Sequence, residues 1–387
     1  MIKEVIFFTY GDSSDASTWS NIPFLFTKTL KDMDVEVHQI DISPNKNMRR
    51  LYDKIIVPII SLFYPNHVYV FLRSKLFASL VNHRIKRSVT KYSNSDLCII
   101  TNFDYYNKFN KIPTLLFCDW TYEILIIERL GRKPYFFEKR FILQQEEAIN
   151  NAETVVSLFP ECAISMRKRY ANPNIHYLGS NVINSLYDGI IDPETIIKDK
   201  INSTHIIFIG GKKYIEGAQK LVDSFKPFSR KHPEYSLHLI GIKQNWIREI
   251  NSKIICYGYL RKDIKSENKN YYHLLLKARF IINPTPVWAG YSSTIEAMYF
   301  YTPVITSNYK DFVNEFGENI DFGYYLDNFS PEYISQIMEK MILSNNYIQM
   351  CKNAHEKVKD YTWKSYVNKI LKVVESENFY IDLNGNN

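Results

Sequence analysis

The residues from Phe280 to Ser307, FIINPTPVWAGYSSTIEAMYFYTPVITS, have types and spacing suited to binding a charged ligand. The apolar run from Phe280 to Asn283 stops at Pro284, the pattern of a buried strand running to the edge of a parallel sheet. A loop containing Gly290 follows, then Tyr291 and three hydroxyl residues, Ser292, Ser293 and Thr294, where the helical period of Ile295, Met298 and Tyr299 begins. Unpaired backbone N–H groups and small hydroxyls at a helix N-terminus suit an anion such as a diphosphate. Glu296 is expected in the first helical turn, where the dipole favours a carboxylate able to accept hydrogen bonds from a sugar hydroxyl. Taken alone, the same segment reads first as an ordinary capped helix.

Other candidates share one address, the carboxyl end of a strand. Gly210 and Gly211 end one strand, so the chain can turn there and approach a phosphate with no side chain in the way. Gly258 and Tyr259 end the next strand but one and would border a nucleobase. Asp119 follows a strand in the first half of the chain, on a loop of the kind that carries function over a fixed scaffold. Each also reads as a plain turn or a solvated loop. Asp32-Met33-Asp34 falls between a helix and a strand and reads as a turn rather than a metal site. The nine histidines are scattered, and His232 and His238 lack helical ligand spacing, so no metal is expected.

The elements that must position these residues alternate between strands and helices, which argues for parallel sheets covered by helices. Strands are expected at Val5 to Thr9, Val35 to Ile40, Leu97 to Thr101, Thr114 to Cys118, Thr154 to Leu158 and Ile175 to Leu178. A second set is expected at Ile206 to Ile209, Ser236 to Ile240, Lys253 to Tyr257, Arg279 to Ile282 and Pro303 to Thr306. The fold class is therefore α/β, with two doubly wound domains facing a central cleft. The expected boundaries are a first domain at 1–183, a polar, irregular linker at 184–203 with an Asp192-Pro193 turn signal, a second domain at 204–362, and a helix and tail at 363–387 that cross back to the first. At 387 residues and 45% hydrophobic content, the chain can bury two domain-sized cores.

Composition narrows the setting. The five cysteines lie far apart without CxxC or Cys-His spacing, as expected for reduced thiols in the cytoplasm. The N-terminus does not read as a signal peptide, and no apolar run approaches the roughly 20 residues of a spanning helix. Charge is concentrated in one region, 49–92, where nine Lys or Arg face a single acid, Asp53, while the whole chain carries a net +7. Among those bases lie Ile55, Ile59, Leu62, Phe63, Phe71 and Leu76. Basic residues beside aliphatic and aromatic ones fit a surface that rests on anionic lipid, or a buried helix pair with a solvated basic face. No nucleic-acid reading motif is present, and nucleic acid is not expected as a partner.

Taken in order, the motifs resemble those of the retaining nucleotide-sugar glycosyltransferases of family 4, the group 1 family, and the resemblance covers almost the whole chain. The Phe280 to Ser307 segment is similar to that family's donor-site signature. Thr18-Trp19-Ser20-Asn21-Ile22-Pro23-Phe24 is similar to a Trp-Ser-Gly-Thr-Pro-Tyr segment after the first strand, and Phe117-Cys118-Asp119-Trp120-Thr121 to a Thr-Asp-Ala-Thr segment. Glu146-Glu147-Ala148 resembles a Glu-x-x-Ala helix, and Phe208 to Gly217 a Phe-Ile-Gly-Gly-x-x-Trp-x-x-Lys-Gly segment. The resemblance implies a glycosyltransferase B fold and hexosyl transfer from a nucleoside-diphosphate sugar, UDP-linked by expectation, in cell-surface polysaccharide synthesis, with retained configuration and no metal or other cofactor. It also implies donor contacts from Gly210, Gly211, Gly258, Tyr259, Gly290, Tyr291, Ser292, Ser293, Thr294 and Glu296, and Asp119 on the acceptor side. The sequence departs from the family pattern twice: Trp288 stands where a sugar-contacting Glu is usual, and Glu216 where a Lys is usual before the glycine. Lys212 or Lys213 is then the expected cation. These departures keep open a non-catalytic nucleotide-sugar or glycan-binding subunit, and more remotely an epimerase on the same fold.

Overall fold

The computed structural model describes residues 2–179, 182–285 and 291–384. The chain divides into two compact units, Met1–Ser180 with Trp363–Asn387, and Asn181–Thr362. Each is built on a six-stranded parallel sheet with flanking helices, as the alternating pattern predicts.

The first unit contains β1 (Glu4–Thr9), β2 (Glu36–Asp41), β3 (Leu97–Ile100), β4 (Thr114–Cys118), β5 (Thr154–Ser157) and β6 (Ile175–His176), in the order β2-β1-β3-β4-β5-β6. Its helices are α1 (Ile22–Asp32), α2 (Lys46–Phe63), α3 (Lys75–Lys91), the single turn α4 (Tyr122–Ile124), α5 (Phe136–Asn151) and α6 (Pro160–Arg169). Val5, Ile6, Phe7 and Phe8 of β1 and all of β3 are buried, because helices cover both faces of these central strands and leave no position for an alternating polar residue. An edge-to-face aromatic chain, Phe7–Phe26–Phe117, joins α1 to the sheet at ring separations of 5.4 and 5.3 Å. The C-terminal helix packs on this cluster, with Trp363 5.6 Å from Phe26 and Tyr366 6.2 Å from Phe117.

The basic region resolves into α2 and α3, which differ. Ser74 caps α3 by accepting from Phe77 N, and Phe77, Val81, Ile85 and Val89 bury one face of the helix. Arg84 of α3 donates to the carbonyl of Ser43, so this base holds a loop. Helix α2, by contrast, has no buried residue, and Leu51, Ile55, Ile59, Leu62 and Phe63 are each more than half exposed. It is tied to the segment after it by Asp53, which accepts from Phe71 N, and by a Tyr52–Tyr69 hydroxyl pair.

The second unit contains β7 (His205–Ile209), β8 (Ser236–Ile240), β9 (Ile254–Gly258), β10 (Ala278–Asn283), β11 (Val304–Ser307) and β12 (Gly323–Leu326), in the order β12-β11-β10-β7-β8-β9. Its helices are α7 (Pro193–Ile201), α8 (Ile215–Lys231), α9 (Lys265–Lys277), α10 (Ser292–Tyr299), α11 (Lys310–Phe316), α12 (Pro331–Ile342) and α13 (Tyr347–Val358); α14 (Trp363–Asn384) is the helix that packs on the first unit. Two expectations are corrected here. The segment read as an irregular linker contains α7, because Asp192-Pro193 is a cap followed by proline at the first helical position, not a turn: the Asp192 carboxylate accepts from Thr195 N. Strand β12 escaped the sequence reading because it is a four-residue edge strand with half-buried Tyr324 and Tyr325. Helix α7 is held by Lys200, fully buried, whose ammonium donates to the carbonyls of Leu275 and Ala278 and to the Thr302 hydroxyl at 2.8–3.2 Å.

Candidate functional site

In open α/β sheets, ligands bind beyond the carboxyl ends of the strands, where the strand order reverses. In the second unit the order reverses between β7 and β10, which are paired neighbours. The loops that leave these two strands carry most of the residues expected to hold a donor. Gly210 and Gly211 follow β7 and lead into a short turn, Lys212–Tyr214, with both lysines exposed at the start of α8. Gly241 after β8, missed in the sequence reading, packs beside them. Its φ is +89°, and a Cβ there would lie 2.5 Å from the carbonyl oxygen of Gly210, so only glycine allows the two backbones to lie side by side. Its amide donates to the carbonyl of Gly258, which continues the row to the end of β9. Tyr259 beyond it is 67% exposed. Gly217, in the first turn of α8, packs against Thr285 of the loop leaving β10 so closely that a side chain would collide with it.

Helix α10 begins at Ser292, and Tyr291 before it supplies no side-chain cap. The amides of the first turn have no partner within the helix; Ser292 and Ser293 beside them are half-buried and Thr294 is buried. Tyr291 is fully buried, and its ring packs 5.5 Å from Phe312. The expected Gly290 and the departing Trp288 lie outside the described residues. Glu216, the other departure, has an exposed side chain 3.5 Å from Lys220, one helical turn on.

Glu296 lies in the second turn of α10, not the first, because the helix starts at Ser292. Its carboxylate is 1% exposed and fully engaged: Oε2 accepts from Lys262 Nζ at 2.5 Å and from the Tyr271 hydroxyl at 2.8 Å, and Oε1 from the Tyr272 hydroxyl at 3.0 Å. Burial, with the adjacent Glu296 charge, pushes both phenols far up, so they remain donors. Lys262 also donates to the carbonyl of Asn184. A ribose hydroxyl reaches Glu296 only by sharing or displacing one of these partners. Lys262, Tyr271 and Tyr272 were not singled out from the sequence, since nothing in their spacing marks a buried cluster assembled from three elements.

Asp119 lies in the first unit, just past β4. That unit's strand order reverses between β1 and β3, and a cavity of about 460 Å³ opens there at the ends of β1, β3 and β4. Asp119 lines it and accepts from Trp120 N at 2.8 Å. Asp104, also in the lining, accepts from Gln145 at 2.6 Å and from the Tyr10 hydroxyl at 3.1 Å, and burial pushes its carboxyl up. Trp19 lines the same cavity from a turn in which Trp19, Ser20 and Asn21 all have positive φ, 39°, 56° and 70°. Side-chain residues take that conformation at a cost, commonly where a ligand site requires it.

No family model matches the chain, and no curated protein matches its sequence. Solved structures do match in fold. Sucrose-phosphate synthase from Thermosynechococcus elongatus superposes with a TM-score of 0.63 at 12% identity over 100% of both chains. WaaG, a glycosyltransferase involved in lipopolysaccharide biosynthesis, gives 0.62 at 12% identity, covering 95% of this chain and 99% of its own. HepE of Anabaena in complex with UDP gives 0.60 at 12% identity, covering 97% and 100%. With its two doubly wound six-stranded parallel sheets, the chain has the glycosyltransferase B fold of these proteins.

Proposed function

We propose that this protein is a glycosyltransferase that moves a hexosyl group from a nucleoside-diphosphate sugar, UDP-linked, to a glycan or lipid-linked acceptor in cell-surface polysaccharide synthesis. The supporting observation is the second unit's switch point, where the start of α10, with no side-chain cap from Tyr291, the glycine row and exposed Lys212 and Lys213 follow the carboxyl ends of β10 and of β7, β8 and β9. Neighbours of the same fold, HepE and MnaA of S. aureus, are described in complex with UDP.

As the bond between the anomeric carbon and the phosphate oxygen breaks, negative charge develops on the leaving diphosphate. The amides of Ser292, Ser293 and Thr294 and the Lys212 and Lys213 ammonium groups stabilise that charge without a metal ion. Gly210 and Gly211 let the backbone approach the phosphates, and Gly258 and Tyr259 border the base. Glu296 fixes Lys262 and contacts the ribose through the same cluster. Asp119 contacts the acceptor or the transferred sugar on the first unit. Transfer proceeds with retained configuration.

The protein works at the cytoplasmic face of a membrane, docked through α2. Its exposed apolar ridge, Leu51, Ile55, Ile59, Leu62 and Phe63, runs beside Arg49, Arg50 and Lys54. No described helix is long and apolar enough to cross a membrane, and each basic group near an anionic leaflet contributes about 1 kcal/mol. Arg49, Arg50 and Lys54 changed together to Glu should abolish pelleting with anionic vesicles at low salt. Undiminished pelleting removes the membrane from the reading.

Incubation with a panel of nucleotide sugars tests the reaction. Nucleotide release that requires an acceptor and persists in excess chelator is expected. Binding without release, the outcome that Trp288 and Glu216 would favour, marks a non-catalytic subunit. Loss of activity in chelator with rescue by magnesium or manganese overturns the metal-free mechanism.

A further inference from the structure

The cavity at the first unit's switch point has a chemistry of its own, and the reading as a glycosyltransferase gives its ligand a role. Among the described residues, two buried N–H donors in its lining have no hydrogen-bond partner: Asn102 Nδ2, on a residue 5% exposed, and Arg73 Nε. Leaving such donors unpaired in a dry interior costs roughly 1–3 kcal/mol each, so their persistence calls for a ligand or water that pairs them. Other atoms of both side chains are held in place. Asn102 Oδ1 accepts from Asp104 N at 2.9 Å; Arg73 donates through Nη1 to the carbonyl of Val68 and lies 4.3 Å from the Tyr122 ring. Neither can turn away without breaking those contacts.

Facing these donors are acceptors. Asp119 uses Oδ1 for Trp120 N and the Cys118 thiol, and its second oxygen accepts no hydrogen bond among the described residues. Asp104 accepts hydrogen bonds only from neutral groups, Gln145 and Tyr10, and the Arg73 charge acts on it without a direct contact. The cavity therefore presents donors and charged acceptors together. A hydroxyl group both donates and accepts, so a ring bearing several hydroxyls satisfies both sets at once. The aromatic residues Trp19, Trp120 and Tyr10 in the lining supply surfaces for the C–H faces of such a ring. Two carboxylates against one guanidinium leave the lining net negative, which repels phosphate and carboxylate groups. A volume of about 460 Å³ is within the range of small-ligand pockets.

We infer that this cavity is the seat of the acceptor's terminal residue, and that it takes an uncharged, hydroxyl-bearing sugar ring and rejects phosphorylated or uronic ones. Asn102 and Arg73 donate to ring hydroxyl oxygens, Asp119 and Asp104 accept their protons in hydrogen bonds, and Trp19 covers one face.

The test is saturation-transfer NMR and tryptophan fluorescence titration of the full-length protein. Methyl glucoside, galactoside and mannoside would be compared with glucose 6-phosphate and methyl glucuronide, with UDP titrated in parallel. At least one neutral glycoside should saturate, and its charged counterpart should bind at least tenfold more weakly. Asn102→Leu and Asp119→Asn should each weaken the glycoside at least tenfold while leaving UDP affinity in the second unit in place. Asp119 is only half-buried, so its variant keeps the test open if Asn102→Leu fails to fold. Failure of every neutral glycoside to bind, equal binding of the charged analogues, or undiminished binding by both variants overturns the inference. UDP binding with no glycoside binding overturns it alone; glycoside binding without UDP binding overturns the glycosyltransferase reading and leaves a sugar-binding site.

Discussion

Glu296, buried, and Asp104, half-buried, both lie beyond the ends of sheet strands, one in each unit, and their surroundings differ. Glu296 meets a cation and two phenols, and both its oxygens are occupied. Asp104 also uses both oxygens, but for an amide and a phenol, and burial pushes its carboxyl up while its hydrogen bonds and the Arg73 charge draw it only partly back. A charge already matched by its neighbours is part of the architecture. A charge held at a cost, beside donors that lack partners, is poised for something that arrives from outside. The contrast assigns Glu296 first to stability, with its ribose contact made through the same cluster, and Asp104 to recognition.

The largest expected effect comes from breaking the matched pair. Glu296→Ala leaves the Lys262 ammonium, whose side chain is only 13% exposed, without its counter-charge, together with two buried phenols. A loss of ~3–5 kcal/mol in the second unit is expected, the usual cost of removing one partner of a buried ion pair. Chemical denaturation checks it, and UDP affinity should be measured at a temperature where the variant stays folded. A loss below about 1 kcal/mol would mean that the cluster is not structural and that Glu296 is held ready for the ribose alone.

A double-mutant cycle sharpens the same point with a smaller effect. Lys262→Met should destabilise by less than Glu296→Ala, because the carboxylate keeps Tyr271 and Tyr272 as donors. Combining Lys262→Met with Glu296→Gln should recover part of the loss, with a coupling energy of about 1–3 kcal/mol between the two sites. Strict additivity in denaturant midpoints would show that the 2.5 Å contact contributes little.

The sequence reveals one side of this contrast better than the other. Strands such as β1, β3 and β4 are legible because burial on both faces makes them continuous apolar runs. The glycines after β7 and the hydroxyls opening α10 are legible because phosphate chemistry needs only backbone, and local sequence sets local backbone. Lys262 and the Asn102–Asp104 turn were not, since their meaning comes from partners 34 and 41 positions away in the chain, Glu296 and Gln145. Helices α2 and α8 show the limit in another way. Both are amphipathic and both carry an internal proline, yet α8 buries Leu221, Val222, Phe225 and Phe228 while α2 buries nothing. Periodicity reveals an apolar face but not what covers it. The helix start at Ser292 rather than a turn later likewise displaced Glu296 from its expected turn, a matter of one loop's length.

The smallest effect should also have the opposite sign. Asp104→Asn keeps the shape and lets the new amide accept from Gln145 and donate to Tyr10, while removing a carboxylate whose ionisation burial opposes. Because the folded carboxyl titrates above its unfolded value, the folded state binds more protons between the two, and this group's contribution to stability falls as pH rises through that interval. Asparagine does not titrate. The variant's advantage should therefore be absent below about pH 4, grow as pH rises through the shifted value, and then level off at roughly 0.5–2 kcal/mol, the range of single stabilising substitutions. Thermal melts from acid to neutral pH measure it, and the same variant should bind neutral glycosides more weakly. A variant that is less stable at neutral pH would place Asp104 with Glu296 among the structural charges, and the distinction between the two carboxylates would fail.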